Sequence, residues 1–347
     1  MAATLGKVAK RAGVAIDTAR KALRGDPSVR SYLMERVQQA AKDLDYHPNL
    51  LARALRGNQL NLVPISVLEL NQMYYGGLAS SLSHRLVGIG MEPALCFNPE
   101  HLMRMSQTLS TSASILATGF DEKTVRALAK RQKVVTVDSD LPAIADVGNV
   151  AIDFRTGYRG VVDALVKAGR TRIAFASAFY YRAKAENWRE VKFSSAMGRM
   201  AELGMRPRGA DGTPVFASAD AFAAWLVEKP GRANAVICEN DVMAAHVMAQ
   251  MAALRLKTPD DVLIVGCDAN CLLRGMWSIK LDTDWLAAAA VELLQRLLRG
   301  ERNVESAVHQ PLLVDDQGRD VRQGVIGQSP GCRAHKGHSS TDPITSA

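Results

Sequence analysis

The chain contains no run of about 18 uninterrupted apolar residues, the length that crosses a bilayer as a helix. Its most apolar stretch, WLAAAAVELLQRLL from Trp285, carries Glu292, Gln295 and Arg296 and reads as a core helix. The opening MAATLGKVAKRAG has no apolar centre and no small-residue cleavage site, so a cytoplasmic protein with no membrane partner is expected. Cysteines number only five (Cys96, Cys238, Cys267, Cys271, Cys332), an odd count lying mostly in apolar runs, which excludes a disulfide framework and points to buried, reduced thiols. A phosphate-cradling glycine loop, a nucleophile elbow and an HExxH pair are all missing. None of the seven histidines is placed as a base beside a nucleophile, so no enzyme and no cofactor are expected. Cys332, His335 and His338 match no standard zinc spacing and lack a fourth ligand, so no metal is expected either.

The 347 residues, 48% hydrophobic and 22% charged, are enough for two or three folded units with real cores. Charge is unevenly placed. Residues 1–60 hold eleven basic and five acidic side chains, and so six of the eight net positive charges of the chain. A basic end on a near-neutral body fits either a polyanion partner or a solvated basic face.

Helical periodicity opens the chain. Leu5, Val8, Ala9 and Ala12 form one stripe that stops at Gly13, and a second helix is expected from Ile16 to Leu23, ended by Gly25, Asp26 and Pro27. A third places Leu33, Val37, Ala40, Ala41 and Leu44 on one face, with Ser28 and Ser31 as candidate caps, and ends before Tyr46-His47-Pro48. This is a helix-turn-helix with a supporting helix, too small for an autonomous enzyme. Residues 48–60 then hold LLARALRG, about two helical turns that need a partner surface to form, and thus a hinge.

From Leu62 the texture becomes apolar strands alternating with amphipathic helices. LVPISVL, PALCF, ASILATG and VVTVD are followed by RIAFAS, AVIC and VLIVGCD. Such alternation implies two doubly wound parallel-sheet subdomains with a small ligand at the carboxyl ends of the strands. The expected order is a headpiece over residues 1–47, a hinge over 48–60, a sensor over 61–314, and a polar, charge-balanced disordered tail over 315–347, which has no leucine heptads.

TLGKVAKRAGVAIDTARKALRGDPSVRS followed by YHPNLLARALR resembles the headpiece and hinge of lac repressor-type (LacI/GalR family) transcription regulators. The segments IDFRTGYRGVVDALVKAGRTRIAFAS, AVICENDVMAAHVMAQ and TPDDVLIVGCD are similar to the periplasmic-binding-protein-like sensor of that family. The resemblance spans roughly Thr4 to Val314. It implies a sequence-specific regulator, most often a repressor, that binds a pseudo-palindromic double-stranded DNA operator as a homodimer. Its affinity would be set by a small effector, a sugar or sugar derivative. A ligand-independent regulator is the alternative.

By this resemblance Ile16, Asp17 and Lys21 occupy base-reading positions, and Thr4, Thr18 and Arg20 lie near phosphate. Thr18 could instead cap or pack locally. Ala15 stands where a serine usually caps the recognition helix, and Asp17 either offsets that loss at the positive helix end or accepts from a cytosine amino group. Leu55 and Ala52 match a minor-groove wedge, with Asn49 and Arg53 as anchors, while Leu55 packing only on a partner hinge is the plainer role.

In the sensor, Arg189, Asn240 and Asp268 match effector-binding positions, with Tyr74, Tyr75 and Asp138 on the opposite wall. Caps, turns and core packing are the structural alternatives for these residues. Lys192 replaces a usual glycine, and its charge beside Arg189 would favour an anionic ligand.

Overall fold

The computed structural model describes residues 3–324 apart from positions 24, 47–60, 68–69, 71, 118–119, 140, 179–190, 208–214 and 229–230. Contacts divide the chain into two compact units, Met1–Leu62 with Met103–Ser112, and the remainder.

The first unit contains α1 (Leu5–Ala12), α2 (Ile16–Leu23) and α3 (Ser31–Asp43). Small apolar side chains (Val8, Ala9, Ala12, Ala19, Ala22, Val37, Ala40 and Ala41) fill its core and let the three short helices approach closely. Gly13 ends α1 in the left-handed conformation at φ 61°, where a side chain would be strained. From α3, Arg36 Nη2 donates to the Ala12 carbonyl at 2.7 Å, satisfying an otherwise orphaned acceptor at the end of α1. The serines expected to cap α3 do not do so. Ser31 is already the first helical residue, Arg30 takes the cap position without a side-chain hydrogen bond, and the Ser28 N–H is drawn instead to Asp26 Oδ1 at 2.9 Å.

The second unit contains two six-stranded sheets. The first is ordered β11-β5-β4-β3-β1-β2, from β1 (Leu62–Ser66), β2 (Glu92–Cys96), β3 (Ala113–Ala117), β4 (Lys133–Val137), β5 (Val147–Ile152) and β11 (Ala307–His309). The second is ordered β12-β10-β9-β8-β6-β7, from β6 (Ile173–Ala176), β7 (Val215–Phe216), β8 (Ala235–Cys238), β9 (Leu263–Asp268), β10 (Trp277–Lys280) and β12 (Leu312–Val314). The pairings β1/β3, β3/β4, β4/β5 and β5/β11 are parallel, as are β6/β7, β6/β8, β8/β9 and β9/β10. β12 departs from the expected all-parallel pattern and runs antiparallel to β10 at the edge of the second sheet.

The chain passes between the sheets three times, after β5, after β10 and between β11 and β12. α7 (Phe154–Lys167) follows the first passage, and its buried Tyr158 and Leu165 belong to the same core as Phe175 of β6. α11 (Thr283–Leu298) follows the second passage and packs on α4 (Met73–Gly88), β4 and β5 of the first lobe. Past Val314 the fold continues through a turn, a bridge between Val314 and Asp320, and α12 (Val321–Gly324), with Val321 buried. The expected tail from 315 is therefore structured over its first ten residues, and residues 325–347 lie outside the described ones.

Candidate functional sites

Two places gather the residues singled out in the sequence. On the first unit, α2 turns Ala19 and Ala22 inward, so Ile16, Asp17 and Lys21 share the outer face, with Ile16 half exposed. Thr18 and Arg20 flank that face, partly buried. Ala15 offers α2 no side-chain cap, and its carbonyl accepts from Ala19 N–H at 2.9 Å as the first helical bond. Asp17 is the acidic residue of the first turn and ion-pairs with Arg20 one turn on. Thr4 Oγ1 caps α1 by accepting from Lys7 N–H at 3.3 Å, which leaves its own proton to donate outward. Asn49, Ala52, Arg53 and Leu55 lie outside the described residues.

In the second unit, Asp138 follows β4 of one lobe, while Asp268 ends β9 of the other. Both are partly buried and both adopt positive φ, 55° and 101°, a region that Asp tolerates in tight turns and that clusters at functional sites. The Asp138 backbone is held by its N–H donating to Val150 O at 2.9 Å. The Asp268 turn rests on a buried neighbour, Asp241, that is not among the expected site residues. Asp241, 1% exposed, accepts from Ser278 Oγ at 2.6 Å through Oδ1 and from the N–H groups of Asn270 and Cys271 at 2.8 and 3.1 Å through Oδ2. Ser278 Oγ in turn accepts from Ala269 N–H at 3.1 Å. The carboxylate thus anchors the three residues after Asp268, and Gly266 is required beside it because a Cβ there would lie 2.3 Å from Asp241 Oδ1. This role is signalled in sequence only by an acid at a helix start.

Tyr74 is buried, its ring edge-on to that of Tyr75 at 5.0 Å, and burial together with the nearby Asp138 and Asp268 carboxylates pushes its phenol well above the ordinary value. Asp268 is pushed up to about 7, chiefly by burial and further by Asp241 and Asp138, while Lys192 and the Cys267 thiol act in the opposite sense. Asn240 caps α10 (Asp241–Ala253), its Oδ1 accepting from Met243 N–H at 2.8 Å, so its structural role is realised. Arg189 lies outside the described residues.

Lys192, the first residue of α8 (Lys192–Glu202), brings a charge into this cluster. Its Nζ lies 3.8 Å from Cys267 Sγ and 4.5 Å from the centroid of the Phe154 ring. Burial alone would lower its pKa, but the nearby Cys267, Asp268 and Asp138 raise it, and the side chain stays charged. Cys96, Cys238 and Cys267 are buried and Cys271 is partly buried, with no disulfide among the described residues. No group of three or more His, Cys, Asp and Glu is arranged to hold a metal among the described residues. Also among them, no helix is long and apolar enough to cross a membrane.

The family model described as bacterial regulatory proteins, lacI family, matches residues 4–49, and that of the periplasmic binding protein-like domain matches residues 162–315. The ribose operon repressor of Escherichia coli (strain K12) is 25% identical over 313 residues, which cover 84% of this chain and 92% of that protein. The HTH-type transcriptional regulator DegA of Bacillus subtilis (strain 168) is 24% identical over 298 residues, 82% of this chain and 86% of that protein. A solved structure of the lac repressor dimer bound to operator and an anti-inducer has the same fold, with a TM-score of 0.72 at 19% identity, over 91% of this chain and 98% of that one. The head and the sensor are each matched, and they stand in one chain in the order of relatives aligned over nearly their whole length: the protein belongs to the LacI/GalR family of DNA-binding transcriptional regulators.

Proposed function

We propose that the protein is a repressor that binds a pseudo-palindromic operator as a homodimer and changes its operator affinity when a small effector enters the cleft between the sensor lobes. The observation that carries the reading is the outer face of α2, where an exposed apolar side chain, a carboxylate and an ammonium (Ile16, Asp17 and Lys21) stand together on a basic head. That set matches base edges: a thymine methyl for Ile16, a cytosine or adenine amino group for Asp17 and guanine acceptors for Lys21. The ion pair to Arg20 offsets the repulsion that Asp17 would otherwise meet from phosphates. Thr4, Thr18 and Arg20 serve as phosphate contacts, and Asn49, Ala52, Arg53 and Leu55 form the minor-groove hinge.

The sensor reading is supported by Asp138 and Asp268, which come from the strand ends of different lobes and whose fields meet at Tyr74 and Lys192. Tyr75, Asn240 and Arg189 complete the effector site. One relative carries the name ribose operon repressor, and a sugar or sugar derivative suits a cleft of carboxylates, an ammonium and phenols. An effector acts only through its preference for one lobe arrangement, and that preference equals its effect on operator affinity.

The test is a selection of bound duplexes from a random library, run with wild type and Leu55→Ala at two salt concentrations. An enriched pseudo-palindrome that blurs in the variant is expected. Binding without sequence enrichment that vanishes at higher salt would reduce the head to a polyanion binder.

A further inference from the structure

The first residue of α8 contradicts its local setting. A cation at a helix N-terminus opposes the helix dipole, and burial adds a desolvation cost, yet Lys192 sits there charged. No side chain caps this helix end. Such a conflict between local preference and position marks residues kept for what they do.

Its partners are weak ones. Among the described residues the ammonium meets a thiol at 3.8 Å and an aromatic face at 4.5 Å, and no oxygen acceptor lies at hydrogen-bond distance. An ammonium has three protons to donate, and neither a neutral thiol nor a ring replaces the water it has lost. Beside it, the Asp268 carboxyl has the Cys267 thiol as its side-chain hydrogen-bonding neighbour and no direct ion pair with Lys192 among the described residues. Asp138 acts on both from the other lobe. A donor and an acceptor, both partly desolvated, therefore stand close together without joining.

We propose that Lys192 contacts the effector and sets its class: Nζ donates to an oxygen of a neutral, hydroxyl-bearing ligand whose own O–H groups donate to the carboxylates of Asp268 and Asp138. This inference rests on the reading of the cleft as the effector site. A hydroxyl is the group that serves both walls at once, since it accepts from the ammonium and donates to a carboxylate. A ligand carboxylate or phosphate at the same place would satisfy Lys192 but stand against the Asp138 carboxylate, and against that of Asp268 once it ionises near pH 7, in a medium of low dielectric. The positive charge of Lys192 is thus balanced from within the cleft, contrary to the anionic ligand that the sequence alone favoured. A ligand cation is disfavoured in turn by the ammonium.

The experiment uses the full chain and three sets of probes on common carbon skeletons: ribose and glucose, their aldonic acids, and their terminal phosphates. Thermal shift ranks the probes and calorimetry measures Kd for wild type, Lys192→Met and Lys192→Arg, with the ligand-free melting temperature reporting folding of each variant. At least one neutral sugar should bind wild type, its acid and phosphate at least tenfold more weakly. Lys192→Met should lose at least tenfold in affinity, and Lys192→Arg should recover part of it. Tighter binding of an acid or a phosphate than of its neutral parent overturns the proposal. So does unchanged sugar affinity in Lys192→Met, or silence across all three sets. The operator selection is scored on the same wild-type preparation, so these failures beside an intact operator overturn the assignment of Lys192 and its ligand class without touching the DNA-binding reading.

Discussion

Replacing Asp268 by Asn should flatten the fall of sensor stability between about pH 4 and pH 7. The Asp268 carboxyl titrates near 7 in the folded protein against an ordinary value of 3.8. Between those values the folded chain holds a proton that the unfolded chain has released, so raising the pH favours unfolding. The stability associated with neutral Asp268 is fully present below about pH 4 and lost as the pH passes 7. At roughly 1.4 kcal/mol per pH unit, the whole fall amounts to about 4 kcal/mol from this residue. Buried Asp241, whose pKa is also raised by burial, adds a change of the same sign, so the informative quantity is wild type minus Asp268→Asn rather than either curve alone. Urea unfolding followed by tryptophan fluorescence is the assay, because Trp188, Trp225, Trp277 and Trp285 all lie beyond residue 61 and report the sensor. The variant should gain on wild type steadily from pH 5 to pH 7 and hold its gain at pH 8. A constant difference across that range would refute the argument, since it would mean that Asp268 ionises in the ordinary way. Loss of the carboxylate next to Lys192 shifts the whole variant curve, but Lys192 stays charged throughout this range and the slope is unaffected.

Gly266→Ala places a methyl 2.3 Å from Asp241 Oδ1 and 2.9 Å from Met276 Cε, and the displaced carboxylate should cost about 2–4 kcal/mol of sensor stability in the same urea assay. Arg36→Ala removes the donor to the Ala12 carbonyl and should lower head stability by about 1 kcal/mol, read as earlier loss of helical circular dichroism in the isolated thermal transition of the head. Asp17→Asn should change the preferred base at one symmetric pair of operator positions, and an unchanged selection would leave Asp17 as a helix-end charge only. Arg20→Ala should weaken binding to all sequences alike and reduce the slope of log affinity against log salt by about 1, and a sequence-dependent loss would instead make Arg20 a base reader.

Much of the head could be read before any coordinates, because its signals are local. Apolar spacing marks α1 and α2 at the observed bounds, and Gly13 marks the turn by a backbone conformation that glycine adopts without strain. The alternation of strands and helices in the sensor is legible for the same reason. What escaped the sequence depends on partners far along the chain. Asp241 meets Ser278 and the Asn270 and Cys271 amides 29 to 37 residues away, and nothing near it announces that its carboxylate would be buried. Lys192 looked like an added positive charge because the Asp138 and Asp268 fields that balance it come from two different sheets. The antiparallel β12 was missed because three residues are too few for a periodic signal, and its direction is set by the return from β11. The caps of α3 failed for a plainer reason: the helix starts two residues later than a Ser28 cap and one earlier than a Ser31 cap would require.

The three passages between the sheets also set an order of events during synthesis. The head is complete once α3 has emerged, but the first sheet waits for β11 at residues 307–309 and the second for β12 just after it. At roughly 5–20 residues per second, the ribosome needs about 15–50 s to travel from the end of the head to those edges. Throughout that interval a folded, basic DNA-reading head precedes a sensor that can neither close its lobes nor present a finished cleft. A nascent chain can thus meet DNA before it can answer to an effector, and full control of the operator arrives only once β12 has emerged.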